Sequence, residues 1–252
     1  MQKLVLIVFT AMLFLPLAIY AQGCMEASSD EGVNVVGYLQ AQYEYMFQGE
    51  DVDNTSKFTF NRARLGVVGN IPYDFSYYVL LEFSPNIVDA PYLLDGFITY
   101  SRLAPWISVS LGQFKSPFSL ELNTACQGLH TIKRSLVVNE LTAYDRDRGI
   151  MFSGKYKKLA KYAFAFTNGT GRANLENNQN KTFAGRLVVS PIDMISIGGS
   201  YKYGTSPASI DEADEDEQKR FAGEIEFKMD NILVQAEYVS AEDIGSYLIG
   251  GD

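Results

Sequence analysis

The chain has 252 residues, 47% of them hydrophobic and 13% aromatic, and its 21 basic and 30 acidic side chains leave a net charge of -9. Sixteen Tyr and sixteen Phe are too many apolar rings for a disordered chain, and beyond residue 21 no run approaches the roughly 18 apolar residues of a spanning helix. The acidic balance argues against nucleic acid as a partner, because a phosphate-binding surface carries a basic excess.

Residues 1–21 read as an export signal. Lys3 supplies the positive start, Leu4 to Leu17 an apolar stretch broken by Thr10 and Pro16, and Ile19-Tyr20-Ala21 a cleavage site before Gln22. An uncleaved anchor is the alternative, although the apolar stretch is short for a span. Cleavage removes Lys3 and leaves 20 basic against 30 acidic residues, a net charge of -10. Cys24 follows so closely that a lipid-modified N-terminal cysteine is a second reading, with Ala21-Gln22-Gly23 a poor match to the Leu-small-small sequence such cysteines follow. Cys126 is the other cysteine, and an oxidising compartment would allow the two to pair.

From residue 33 the chain alternates with period two, the pattern of strands with one apolar and one polar face. Val35, Gly37, Leu39, Ala41, Tyr43, Tyr45 and Phe47 interleave with Gln40, Gln42 and Glu44. Ala63, Leu65 and Val67 then interleave with Arg62, Arg64 and Gly66, and Phe75, Tyr77, Val79, Leu81 and Phe83 with Ser76, Tyr78, Leu80 and Glu82. The pattern returns at Ile107, Val109 and Leu111, at Tyr162, Phe164 and Phe166, and at Ile195, Ile197, Gly199, Tyr201 and Tyr203. It closes with Phe221, Gly223, Ile225, Phe227 and Met229, then Ile232, Val234, Ala236 and Tyr238. About eleven strands are read, with no helical periodicity of useful length.

Several of these strands run for 9 to 13 residues, the length that crosses a bilayer at a tilt rather than the shorter strand of a soluble sandwich. Aromatic residues such as Tyr43, Tyr45, Tyr100, Trp106, Tyr156, Tyr203 and Tyr238 gather near strand ends, as in an interfacial girdle. Connections alternate in length. Tight turns at Asn70–Tyr73, Leu103–Pro105, Lys157–Leu159, Pro191–Asp193 and Asp230-Asn231 separate longer loops around Gly49–Ser56, Ser84–Pro91, Lys115–Asp147, Asn168–Lys181 and Thr205–Lys219. Short turns on one side and long loops on the other are the signature of an outer-membrane barrel. The expected architecture is an all-β, antiparallel, up-and-down transmembrane β-barrel over residues 33–252, preceded by a periplasmic segment at 22–32.

Five stretches carry a family resemblance. Gly112-Gln113-Phe114-Lys115-Ser116-Pro117-Phe118-Ser119-Leu120-Glu121, Arg62-Ala63-Arg64-Leu65-Gly66, Leu94-Asp95-Gly96-Phe97-Ile98, Asp145-Arg146-Asp147-Arg148-Gly149-Ile150 and Asn168-Gly169-Thr170-Gly171, the last followed by Arg186-Leu187 and Pro191, resemble the phosphate-selective porin O and P family. Their order and spacing agree from about residue 33 to 240. The resemblance implies an outer-membrane channel with a 16-stranded barrel, a homotrimeric assembly and a third external loop folded into the lumen. One departure stands out: single-chain bacterial barrels close with an even number of strands, and Gly250-Gly251-Asp252 is no terminal strand ending in an aromatic residue. The expectation is therefore the N-terminal two-thirds of a longer porin.

A wide barrel leaves a water-filled lumen whose selectivity depends on its lining charges and any constricting loop. Arg62, Arg64, Lys155, Arg186 and Lys202 fall on the polar series, and Lys115, Lys133 and Arg134 lie in or beside the long third loop. These eight are the candidate pore-lining, anion-contacting residues, and the resemblance implies phosphate among the anions. Glu44, Glu82, Asp95, Glu224, Glu226 and Glu237 occupy the same face. Two readings of each arginine therefore stand: a fixed cation for passing anions, or a partner for a neighbouring carboxylate on the wall.

The remaining motifs read more plainly. Asp211, Glu212, Asp214, Glu215, Asp216 and Glu217 make a solvated, self-repelling loop, with divalent-cation binding at the lipopolysaccharide surface as the alternative. The sequons at Asn54 and Asn168 read as chance matches, and Lys157, Lys158 and Lys161 as the edge of a membrane. Enzymatic and metal roles are not expected, because the single histidine, His130, has no nucleophile motif or ligand cluster beside it. No cofactor is expected, and the partners are small hydrophilic or anionic solutes, outer-membrane lipid and lipopolysaccharide. A structural or adhesion barrel without channel selectivity is the second functional reading.

Overall fold

Alternating side chains need a sheet to alternate across, and the computed structural model supplies one. It describes residues 32–46, 55–85, 90–142, 145–172, 180–205 and 217–244. The export signal, Cys24, Asn54, the acidic run 211–216 and the final residues lie outside the described residues.

Eleven strands form a single antiparallel sheet in chain order: β1 (Val33–Met46), β2 (Thr55–Ile71), β3 (Phe75–Glu82), β4 (Tyr92–Leu103), β5 (Ile107–Lys115), β6 (Arg146–Tyr156), β7 (Ala160–Thr167), β8 (Thr182–Ile192), β9 (Ile195–Thr205), β10 (Glu217–Met229) and β11 (Ile232–Ile244). Each strand pairs only with its neighbours in sequence, so β1 and β11 are open edges and the sheet is not closed among the described residues. Such a meander needs only hairpin connections.

The two faces differ as the alternation predicts. Phe58, Leu65, Ile98, Leu111, Phe166, Leu187, Ile197 and Phe221 are exposed on the outer face, Phe58 at 87%. Across the same strands Ser76, Glu82, Ser110, Thr167, Ser200, Arg220 and Glu224 are buried. A soluble sheet would bury the apolar side instead; here the apolar side is the one left for another solvent.

Two bulges explain what period-two reading missed. Gln40 faces Arg62 but the next residue, Ala41, faces Phe60, so Asn61 is an extra residue in β2. Outward positions change from Phe58 and Phe60 before the bulge to Ala63 and Leu65 after it, which hid the first seven residues of this 17-residue strand. In β4 the pairing steps from Leu81↔Leu93 to Leu80↔Asp95, leaving Leu94 over. Gln113 donates from Nε2 to the carbonyls of Leu93 and Leu94 at 2.9 and 3.0 Å and pins this bulge.

The long connection contains short helices that periodicity did not reveal: α1 (Leu120–Asn123), a 3-10 turn (Cys126–Gly128) and α2 (Leu136–Leu141). Ser119 and Ser135 cap the two α-helices, each side chain accepting from a backbone N–H of the first turn. Ser119 N–H donates to Ser200 Oγ on β9, Arg220 Nε on β10 donates to the Leu141 carbonyl, and Arg62 Nη1 on β2 donates to the Ile132 carbonyl. One segment bonded to both β2 and β9–β10 requires the sheet to curl around it. Phe114 on β5 and Phe118 and Leu122 of this connection are fully buried, and Val68, Tyr78, Leu80 and Leu94 form an apolar cluster on the inner wall.

Strand spacing depends on a close approach at Gly149, where a Cβ would lie 2.0 Å from the Phe166 carbonyl oxygen and 2.7 Å from Thr167 Cα. At Gly199 a Cβ would meet nothing nearer than the Ala222 carbonyl at 3.7 Å. Gly149→Ala is therefore expected to lower the thermal midpoint of the detergent-folded protein by about 5 °C or more, and Gly199→Ala by less than about 2 °C. Equal midpoints by circular dichroism would contradict this strand packing.

Candidate functional site

The inner face and the connection laid across it form the candidate site. On β2, Arg62 and Arg64 point the same way because they are two residues apart on a strand. Arg64 donates from Nε to Glu82 Oε2 at 2.7 Å, and from Nη1 to the Tyr38 hydroxyl at 2.8 Å and Cys126 Sγ at 3.1 Å. Glu82, 0% exposed, also accepts from the N–H groups of Ala63 and Ser84. Arg62 donates to Gln40 Oε1 at 2.6 Å as well as to Ile132. A buried carboxylate requires this many donors to offset its lost hydration.

The connection is tied at its other end by β11. Glu237 accepts from Leu120 N–H at 2.6 Å and from Glu121 N–H at 3.1 Å, so one carboxylate holds the first turn of α1 across 117 residues of sequence. Within the connection Arg134 donates to the carbonyls of Glu121, Leu122 and Thr124 at 3.2 to 3.3 Å and to Cys126 Sγ at 3.5 Å. The Glu121 carboxylate accepts from the Ser135 N–H and hydroxyl, closing the hairpin between the two helices.

Arginines therefore converge on Cys126, a buried thiol. Burial opposes its ionisation, but Arg64, Arg134, Lys115 and Arg62 outweigh burial and bring its pKa to about 6 from an ordinary 9.0. Asp145, where the connection rejoins β6, is likewise opposed by burial yet held below the usual carboxylate range by Arg146, Lys115, Arg134 and Arg172.

The eight sequence candidates do not form one ring. Arg62, Arg64, Lys115 and Arg134 gather around Cys126, and Lys133 stands 3.8 Å from Glu44 nearby. Arg186 on β8 reaches across β9 to Glu224 on β10, Nε to Oε2 at 3.0 Å. The route passes Gly198, where a Cβ would come within 2.6 Å of the Glu224 carboxylate. Lys202 is buried on β9 opposite Arg220, and Lys155 lies far away beside the β6–β7 turn, opposite Lys161. Arg64 and Arg186 are thus carboxylate partners, and Arg134 holds the backbone of the connection.

Sequence reading missed three participants. Arg220 sits two residues before Ala222, so extending that strand's alternation backwards would have found it. Cys126 and the anchoring role of Glu237 leave no local signal. The short stretches that carry the family resemblance also find one another: Arg146 donates to Asp95 at 2.9 Å, Asp147 accepts from the N–H of Gly169, and Arg148 donates to the Arg172 carbonyl at 2.6 Å. Asp95, Arg146 and Asp147 are buried.

An apolar outer face, a polar inner face and a long connection drawn across the interior define an outer-membrane β-barrel porin. Residues 33–214 match the phosphate-selective porin O and P family, and the chain belongs to that family. No curated protein matches the chain. Among solved structures it is similar to OmpT, an outer membrane protein of Vibrio cholerae folded in vitro and in trimer form, at 12% identity over 84% of this chain and 78% of that one, with a TM-score of 0.41. It is also similar to the loop L8 deletion mutant of OmpT, at 11% identity over 85% and 84% of the two chains, with a TM-score of 0.44.

Glu237→Ala removes both acceptors from α1. Charge-assisted hydrogen bonds contribute about 1.5–3 kcal/mol each, so the Leu120 and Glu121 amides are expected to lose about tenfold or more of their hydrogen-exchange protection. Protection at Ala63 and Ser84, held by Glu82, should persist; unchanged exchange at Leu120 would show that the connection is anchored elsewhere. In a Cys24→Ser background, thiolate absorbance is expected to titrate with a midpoint near 6 and to move upward in Arg134→Gln. Because the folded pKa is depressed, the thiolate contributes stability that is full above 9, declines as pH falls and is gone below about 6. A midpoint near 9 would remove the arginine cluster as its cause.

Proposed function

We propose that this porin is a passive diffusion channel for small hydrophilic solutes with a preference for anions, phosphate among them. One observation carries the reading. The connection, which carries Lys133 and Arg134, is bonded to Arg62 on one side of the interior and to Arg220 on the other, with Lys115 and Lys202 on β5 and β9, while Glu82 and Glu237 have their oxygens occupied by protein donors. Fixed cations lower the barrier for anions, and the planar fork of arginine suits phosphate oxygens. Membership of the phosphate-selective family supports the same solute class.

The open edges at β1 and β11 support a larger ring. A strand edge cannot face hydrocarbon, so the eleven strands are proposed as part of a 16-stranded barrel that assembles as a homotrimer, exported by a cleaved signal at residues 1–21. The short turns would then face the periplasm.

Planar-bilayer recording of the full-length protein tests the channel. Discrete conductance steps with anion preference are expected, and Lys133→Glu should lower the anion-to-cation permeability ratio by about twofold or more without abolishing the steps. Cation preference in the unmodified protein would remove the anion reading and leave the porin. The absence of steps would favour a structural or adhesion barrel.

A further inference from the structure

The five short turns are not equivalent. Counted with two flanking residues on each side, the turns at 70–76 and 191–196 each carry an aspartate and no cation and the turn at 228–233 carries Asp230 and Lys228, whereas segments 102–107 and 155–161 together carry Arg102, Lys155, Lys157, Lys158 and Lys161 and no acid. This concentration occurs in a chain whose overall charge is -9. The β4–β5 and β6–β7 turns also lie side by side. The Lys155 N–H donates to the Pro105 carbonyl at 2.7 Å, and the Tyr162 hydroxyl donates to the Trp106 carbonyl.

Beside those cations is an apolar shelf. Leu103, Trp106, Tyr156 and Leu159 are all exposed, Trp106 at 65%. Lys157 Nζ stands 5.6 Å from the centre of the Tyr156 ring, and Tyr156 follows the outward series of Ile150 and Phe152 along β6, so Lys157 lies on the outer side of the rim. Lys155 and Lys161 instead follow the inward series and belong to the lumen mouth. Among the described residues no carboxylate pairs with Arg102, Lys157 or Lys158. Tryptophan and tyrosine settle where acyl chains meet headgroups, and exposed cations just beyond them meet lipid phosphates.

We propose that these paired turns form a binding site for anionic phospholipid, with Arg102, Lys157 and Lys158 taking the headgroup phosphate and Leu103, Trp106, Tyr156 and Leu159 seated against the acyl chains. The inference rests on the outer-membrane reading and deepens it, locating a lipid preference on one sector of the short-turn rim. Of the other three short turns, those at 70–76 and 191–196 carry only an aspartate and that at 228–233 balances Asp230 with Lys228, so none has the net positive charge this ligand requires.

Trp106 is the only tryptophan of the chain and reports on this site directly. The full-length protein, with any tryptophan outside these residues changed to Phe, would be folded into phosphatidylcholine vesicles containing a minor fraction of brominated lipid, either phosphatidylglycerol or phosphatidylcholine. Brominated phosphatidylglycerol is expected to quench Trp106 fluorescence about twofold more strongly at equal mole fraction, with the excess falling as salt screens the headgroups. The Arg102→Gln/Lys157→Gln/Lys158→Gln variant should quench equally with both lipids while still inserting. Equal quenching in the unmodified protein would overturn the lipid preference alone, and an excess that survives the triple substitution would overturn the assignment to these cations. Quenching by neither lipid would place Trp106 away from the membrane and overturn the barrel orientation itself.

Discussion

A backbone that crosses hydrocarbon finds no water to bond, so every N–H and C=O must be paired inside the protein. That constraint dictates the sheet. A meander in which each strand pairs with its chain neighbours satisfies the backbone with hairpins alone, and it leaves side chains free to divide between two solvents. Residues that would be a core in a soluble protein, such as Leu65, Leu111 and Ile197, are exposed outside, and residues that would be a surface, such as Glu82, Ser200 and Glu224, are buried inside.

The inverted faces create a second requirement, because a curled sheet with a polar interior must satisfy the charges it encloses. Much of that interior charge is structural. Glu82 joins Arg64 to two backbone amides, Glu224 receives Arg186 from two strands away, and Glu237 grips the first turn of α1. Buried ion pairs gain little net stability because desolvation nearly cancels attraction, but removing one partner is costly. They are better understood as registry devices, setting where the long connection lies and therefore how the interior is divided. Their pairing also decides which cations remain to influence a passing solute, since a lumen of mixed charge in sequence is not mixed in the same sense once its carboxylates are occupied.

Much of this is legible in the amino-acid sequence. Alternation marks outward and inward residues on nearly every strand, since a strand's side chains change face at each residue whatever its neighbours do. Alternation failed where a bulge adds a residue: Phe58 and Phe60 are outward on even numbers, Ala63 and Leu65 on odd ones, and no local feature of Asn61 announces the change. The two short helices escaped because four and six residues are too few to show a helical period.

The sequence by itself determined which side of each strand meets apolar solvent, the order of the hairpins and the alternation of short turns with long loops, because these follow from spacing along the chain. Only the tertiary structure decided that Arg64 and Arg134 would meet at Cys126, that Arg186 would reach Glu224 past Gly198, and that Glu237 would hold a helix 117 residues earlier in the chain. Those contacts depend on how far the sheet curls and where its bulges fall, and curvature is a property of the paired strands together, not of any one of them.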